Sequence, residues 1–142
     1  MELKLKAVDI KKELIEECPL LRKENIWLTD DEYIIPSLDE VNKIIKKLSV
    51  SKIPYKNRKV ECEEYALFLM ADIRRYHIFN TELDENWAFG ITTGYFDSFF
   101  SGRIVHDNNI CLTIEGLKII DPQIDTIFDF NENIFNPFFV RM

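Results

Sequence analysis

Cys62 is the residue of this chain that best suits nucleophilic chemistry. The apolar spacing after it predicts a helix from Cys62 to about His77, so the thiol lies in the first helical turn. Unpaired amides and the positive end of the helix dipole favour the reactive thiolate there. The neighbouring Glu61, Glu63 and Glu64 oppose ionisation through their negative charge. A nucleophile and a buried structural thiol therefore both remain open interpretations.

A cysteine nucleophile needs an imidazole to carry its proton, and the chain has two histidines. His77 is on the same predicted helix as Cys62, and a rise of about 1.5 Å per residue separates them by about 22 Å. We interpret His77 as a helix C-cap or surface residue. His106 belongs to the second half of the chain and can fold back onto the helix start. The alternative for His106 is an exposed position at a strand edge.

Asp121 is the acid that best suits orienting the imidazole, since it ends the strand after the one that carries His106. An ideal two-residue turn at Glu115-Gly116 pairs Asp121 with Ile110 instead of His106. A bulge, a longer turn or a strongly twisted hairpin is then needed to bring the two side chains together.

The elements that must position these side chains divide the chain into two halves. Helices are predicted first, from Val8 to Glu17, after Pro36-Ser37, and from Cys62. Ser37 and Glu40 have the spacing of a capping box. Strands are predicted afterwards, over Trp87–Phe96, Arg103–Ile114 and Leu117–Ile120, and the Phe-rich tail from Ile127 to Met142 is expected to cap the core. This order predicts an α+β fold, with N-terminal helices on a C-terminal antiparallel sheet, in a single domain over 1–142.

The composition limits the partners and the compartment. The net charge of −7 disfavours nucleic acid as a partner. No apolar run is long enough for a signal peptide or a membrane span, so neither export nor a membrane partner is expected. Three cysteines at unrelated spacings suggest neither a zinc site nor disulfides. We expect reduced thiols in a cytoplasmic protein.

Three short motifs resemble a small family of papain/transglutaminase-like cysteine peptidases. Glu61-Cys62-Glu63-Glu64-Tyr65-Ala66 resembles the family's Asp-Cys-x-Asp-Phe-Ala, His106-Asp107-Asn108-Asn109 its His-Ala-x-Asn, and Ile120-Asp121-Pro122-Gln123 its Ile-Glu-Pro-Gln. The similarity spans about Tyr33 to Asp125. The family includes phage and bacterial proteins and the catalytic domain of a fungal agglutinin.

The resemblance implies a role for each matching residue. Cys62 is implied as the nucleophile, His106 as the general base and Asp121 as the orienting acid. Gln123 and Asn109 are implied as supports of the site. Beyond the motifs, Tyr55 is considered as an oxyanion donor. Three departures weaken the match: Glu61 replaces an aspartate, Asp107 replaces a small residue and can trap His106 in an ion pair, and Asp121 is shorter than glutamate.

No cofactor is predicted, although calcium is associated with the fungal relative. An oxygen-rich stretch lies near the C-terminus, at Asp125, Asp129, Asn131, Glu132 and Asn133. It lacks the glycine and the terminal glutamate of an EF-hand loop. Calcium in this stretch is therefore the weaker alternative to no metal.

Three hypotheses follow for function. The first is a cysteine hydrolase or acyltransferase, of the thiol protease kind, that acts on a peptide or amide bond of a peptide or protein substrate through a thioester intermediate. The second is a catalytically inactive binding or interaction domain with the same fold. The third is a structural subunit that uses the Phe-rich tail as a contact surface.

Overall fold

The computed structural model describes residues 2–57, 61–98 and 102–142, and shows an α+β fold. The helices and strands of these residues are β1 (Leu3–Lys6), α1 (Ala7–Glu17), β2 (Ile26–Trp27), β3 (Glu32–Ile35), α2 (Leu38–Leu48), α3 (Cys62–Asn80), β4 (Phe89–Ser98), β5 (Gly102–Thr113), β6 (Gly116–Asp121), β7 (Thr126–Asp129) and β8 (Phe135–Arg141). Among these residues, no helix combines the length and apolarity needed to span a bilayer.

The main sheet has six strands in the order β2-β8-β4-β5-β6-β7, and β1 pairs with β3 in a separate two-stranded sheet. Every neighbouring pair in the main sheet is antiparallel except β2 with β8, which is parallel. The prediction of helices first and strands afterwards is therefore only partly correct, because β2 returns from the N-terminal half to extend the sheet edge.

Each face of the sheet carries its own hydrophobic core. Alternate residues of β5 supply both cores, since successive side chains of a strand point to opposite faces. Ile110 and Leu112 pack with Ile10 and Leu14 of α1, whereas Cys111 belongs to the core formed with α2 and α3. Helix α1 thus covers one face of the sheet, and α2 and α3 cover the other.

Helix α2 begins at the capping box that the sequence predicts. The Glu40 amide donates to Ser37 Oγ at 3.2 Å, and the Ser37 amide donates to Glu40 Oε2 at 2.7 Å. Its apolar stripe is buried at Val41, Ile44 and Ile45. Local polar signals and apolar periodicity agree here, so the helix and its buried face follow directly from the sequence.

The aromatic tail completes the sheet. Phe135, in β8, is fully buried in the core beneath α1, and Phe128 and Phe130 pack against the same core. This confirms that these tail aromatics cap a core. Phe139 lies at the other end of β8, where its ring contacts Trp27.

Candidate functional site

Cys62 is the first residue of α3, as the sequence predicts. The preceding residue, Glu61, starts the helix: its amide donates to the Glu64 carboxylate at 2.8 Å, and its carbonyl accepts the Tyr65 amide at 3.2 Å. The thiol itself is half-buried. Acids next to Cys62 therefore cap the helix that presents the thiol.

The surroundings of Cys62 favour the neutral thiol. Burial raises the pKa of the Cys62 thiol above its ordinary value, and the charges of Asp107 and Glu63 raise it further. The backbone amides of the same two residues act in the opposite direction, because they favour the thiolate, but the net shift is upward. Since the thiolate is the nucleophile, this environment lowers the reactivity of Cys62 at neutral pH.

Strand β5 presents Asp107, and not His106, to the start of α3. Thr93 Oγ donates to Asp107 Oδ1 at 2.5 Å, and the Asn109 amide donates to the Ala66 carbonyl of α3 at 2.9 Å. The β4–β5 pairing runs without interruption past these residues. Because side chains alternate along a regular strand, His106 points to the face of the sheet opposite α3.

On that opposite face, the His106 ring lies against Phe96, with ring centroids 5.8 Å apart. Phe96 in turn packs on the core beneath α1. Within the part of the chain that the structure describes, no hydrogen bond joins the imidazole to the Cys62 sulfur. The structure brings Cys62 close to Asp107 and leaves His106 on the other side of the same strand.

Asp121 shares the face of His106. The β5–β6 pairs run from Thr113 with Gly116 to Asn109 with Ile120, so the turn is Ile114-Glu115, one residue earlier than predicted. The earlier turn shifts the β5–β6 register by two residues, so Asp121 lies opposite Asn108 instead of Ile110. His106 is two residues from Asn108 on the same face of β5, which makes it the diagonal neighbour of Asp121. Asp121 Oδ1 accepts the amide of Gln123 at 3.0 Å. The acid and the imidazole are thus neighbours, on the face away from Cys62.

The two remaining predicted supports have different surroundings. Asn109 is fully buried and bridges two elements: its side-chain amide donates to the Ala66 carbonyl at 2.9 Å and to the Gly90 carbonyl of β4 at 3.0 Å. Tyr55 is 59% exposed. Asn109 therefore braces α3 against the sheet, and Tyr55 presents its ring to solvent.

The oxygen-rich C-terminal stretch is engaged in protein contacts. Asp125 Oδ2 accepts a hydrogen bond from Ser51 at 2.5 Å, and Asp129 pairs with the buried Lys118. Among the described residues, no group of three or more histidine, cysteine or acidic side chains is placed to hold a metal ion.

A pocket that sequence reasoning missed lies near the other end of α3. His77 lines it and is only 5% exposed, so the interpretation of its side chain as a surface residue is wrong. Only its carbonyl takes part in the helix end, where it accepts the Thr81 amide at 3.0 Å. The signal was present in the sequence, because Leu69, Ile73 and His77 recur at the four-residue spacing of one helix face.

Comparison with known proteins gives structural neighbours only. No family model and no curated protein matches the chain. The PSL1a–E64 complex matches with a TM-score of 0.81 and 18% identity. A Polyporus squamosus lectin bound to the human-type influenza-binding epitope Neu5Aca2-6Galb1-4GlcNAc matches with a TM-score of 0.77 and 18% identity. Both matches cover 99% of this chain and 50% of the other, so the chain shares its fold with about half of each matching chain.

These neighbours contradict two sequence predictions. A thiol protease and a peptide or protein partner were expected, but one of the two structural neighbours is a lectin bound to a glycan epitope. Both predictions are therefore wrong. The physical reason lies in β5, which turns His106 away from the thiol it was expected to activate.

Proposed function

We propose that this chain is a binding domain that does not use Cys62 as a nucleophile, and that its ligand is a carbohydrate. The observation that carries the proposal is the alternation of β5, which directs Asp107 toward Cys62 and His106 to the opposite face. A general base must lie within hydrogen-bond reach of the group it deprotonates.

The charges around the thiol support the same proposal. Glu63 is surrounded by acids, and its pKa is raised by Glu64 first, then by burial and by Asp107 and Glu61. Nucleophilic cysteines depend on an electropositive environment that stabilises the thiolate. An acidic cluster beside a half-buried thiol has the opposite effect.

The carbohydrate ligand is supported by the lectin neighbours and by one surface feature. Trp27 is 58% exposed on the edge strand β2, where its ring meets Phe139 with centroids 5.4 Å apart. Its Nε1 donates to the Glu24 carbonyl at 3.1 Å, which helps to fix the indole. A pyranose has an apolar C–H face that suits an exposed, oriented aromatic ring. We therefore propose Trp27 as the platform for the sugar.

Titration with saccharides tests this proposal. The probes are the trisaccharide Neu5Aca2-6Galb1-4GlcNAc and the disaccharide Galb1-4GlcNAc that lacks its sialic acid, and binding is measured by calorimetry and protein NMR. Trp27→Ala is expected to weaken binding at least about tenfold, the loss of roughly 1.4 kcal/mol. Tyr55→Ala is the matched control, because Tyr55 is an aromatic residue of almost the same exposure, 59%, and is not part of β2. Absence of binding to both probes, or equal loss in both variants, contradicts the proposal.

A cysteine hydrolase or acyltransferase that acts on an amide bond is the second candidate, and specific observations favour it. Cys62 begins a 19-residue helix, and the Asp107 and Glu63 amides favour its thiolate. His106 and Asp121 are diagonal neighbours on adjacent strands. In this proposal the fold is papain/transglutaminase-like, and a local change in β5 turns the imidazole toward the sulfur.

Alkylation of Cys62 separates the two candidates. Cys18 and Cys111 are buried and their pKa values are raised, so both are expected to react slowly with an alkylating reagent. A faster reaction of Cys62 than of these two would therefore not show that Cys62 is activated. The useful comparison is between Cys62 in the folded protein and the same cysteine in the urea-unfolded chain. The binding domain predicts slower reaction with iodoacetamide, and no faster reaction with the thiol-directed epoxide E64, in the folded protein. Faster folded-state labelling that His106→Ala abolishes establishes the second candidate instead.

A further inference from the structure

A pocket of about 480 Å³ lies between α2, the last turns of α3 and the segment that leads into β4. It is remote from Cys62, because the helical rise places His77 about 22 Å along α3 from the thiol. Most of its walls are apolar, formed by Ile34, Ile35, Ile44, Leu83, Trp87 and Ile114. A concave site of this size with apolar walls and few polar groups is typical of small-molecule binding.

His77 is the lining residue whose polar side chain is buried. Its ring packs edge-on against Trp87 with centroids 4.4 Å apart, and within the described residues its Nδ1 is buried without a hydrogen-bond partner. Burial lowers the pKa of His77, so the ring is neutral at pH 7. A neutral imidazole has one donor and one acceptor nitrogen. Nδ1 has almost no accessible surface, so the nitrogen open to a ligand is Nε2, which also makes no hydrogen bond within the described residues.

Three of the four charged residues that line the pocket contact other groups of the protein. Lys43 pairs with Asp39 at 2.6 Å, and the Lys47 ammonium lies 4.9 Å from the centroid of the Tyr76 ring. Glu40 accepts the Ser37 amide and hydroxyl. Glu2, the fourth charged lining residue, makes no ion pair within the described residues, and the two glutamates and two lysines of the lining sum to zero net charge. The interior thus offers apolar surface, aromatic edges and one neutral imidazole, with no net charge at its rim.

We propose that this pocket binds a small, uncharged heteroaromatic molecule whose ring nitrogen hydrogen-bonds to His77. A flat aromatic body suits walls that include Trp87 and Tyr76, because aromatic rings pack favourably edge to face. The two glutamates and two lysines of the lining balance each other, so an ionic ligand finds no net opposite charge to offset its desolvation, and a neutral ligand is favoured. The site is separate from the proposed sugar platform at Trp27, so either can fail without the other.

Two ligands of matched shape test the role of His77 in the unmodified protein. Indole carries a ring N–H, and indene has the same outline without it. Titration followed by ¹H–¹⁵N NMR is expected to shift the Trp87 indole resonance, assigned by its survival in Trp27→Phe. Indole is expected to bind about fivefold more tightly than indene, the effect of one hydrogen bond. Equal affinities, or no shift with either ligand, overturn the proposal.

A blocking variant locates the binding. Leu83→Trp fills the pocket from its half-buried rim, whereas Ile124→Trp adds the same side chain at a position that is 66% exposed. Leu83→Trp is expected to abolish the indole shifts and Ile124→Trp to retain them, with dispersed spectra showing that both variants are folded. Indole binding that survives Leu83→Trp unchanged places the ligand elsewhere and refutes the assignment.

Discussion

Replacement of Asn109 by alanine should detach the N-terminal half of α3 from the sheet. The Asn109 amide donates two hydrogen bonds, one to Ala66 and one to Gly90, from a fully buried position. Its neighbour Asn108 is 2% exposed, and its side chain makes no hydrogen bond within the described residues. Alanine at either position removes the same side-chain volume. The difference in unfolding free energy between the two variants therefore reports the two hydrogen bonds of Asn109. At about 1 kcal/mol for each bond, Asn109→Ala should be less stable than Asn108→Ala by roughly 2 kcal/mol.

Urea unfolding, followed by circular dichroism, measures this difference. With a slope of about 1–3 kcal/mol per molar urea, the two midpoints should differ by roughly 1 M. Asn109→Ala should also increase the iodoacetamide reactivity of Cys62, because α3 begins at that residue and Asn109 holds its first turns. Equal midpoints for the two variants refute the argument that Asn109 is a structural brace.

Two further predictions concern stability. Burial lowers the pKa of His77, an effect that Glu40 partly offsets, so on acidification the unfolded chain takes up this proton at a higher pH than the folded chain. The stability contributed by the neutral ring is fully present above about pH 6.5, and it is lost as the pH falls through the folded-state pKa. In urea unfolding, the unfolding free energy of the wild type should therefore fall relative to that of His77→Phe on acidification, and a difference between the two proteins that does not change with pH contradicts this. A Cβ at Gly94 meets Asn136 O at 2.6 Å and Phe135 Cζ at 2.8 Å, so Gly94→Ala should lower the unfolding free energy by about 1–3 kcal/mol or more. Gly102 has no neighbour within 4 Å of an added Cβ, so Gly102→Ala should cost only the strain of its positive φ, about 1 kcal/mol; an equal cost in both variants contradicts the packing argument.

Features specified by neighbouring residues could be predicted from the sequence. The capping box at Ser37 and the start of α3 at Cys62 depend on contacts three or four residues apart. The burial of His77 depends on helical spacing of the same kind, whereas its distance from Cys62 along the helix carries no information about its exposure. Periodicity determines which face of a helix is buried, and His77 continues the stripe of Leu69 and Ile73.

Features specified by strand register could not be predicted in this way. The β5–β6 turn lies at Ile114-Glu115, and Gly116, with φ of 97°, starts β6. A turn one residue earlier changes the register by two and brings Asp121 beside Asn108. The turn residues by themselves fit either placement, so the packed sheet selects the register through the side chains it buries.

The regular pairing of β5 around the His106 motif favours the first of the two proposed functions. His106 and Asn109 are three residues apart, and an odd separation puts two side chains on opposite faces of a regular strand. Asn109 is committed to the face of α3 by its bond to Ala66. The imidazole can join it there only if β5 gains a bulge between the two residues, and Asp107 pairs with Thr93 in an unbroken ladder at that point. Catalysis by Cys62 therefore requires β5 to lose regular pairing and to move a hydrogen-bonded carboxylate, whereas a binding domain requires neither change.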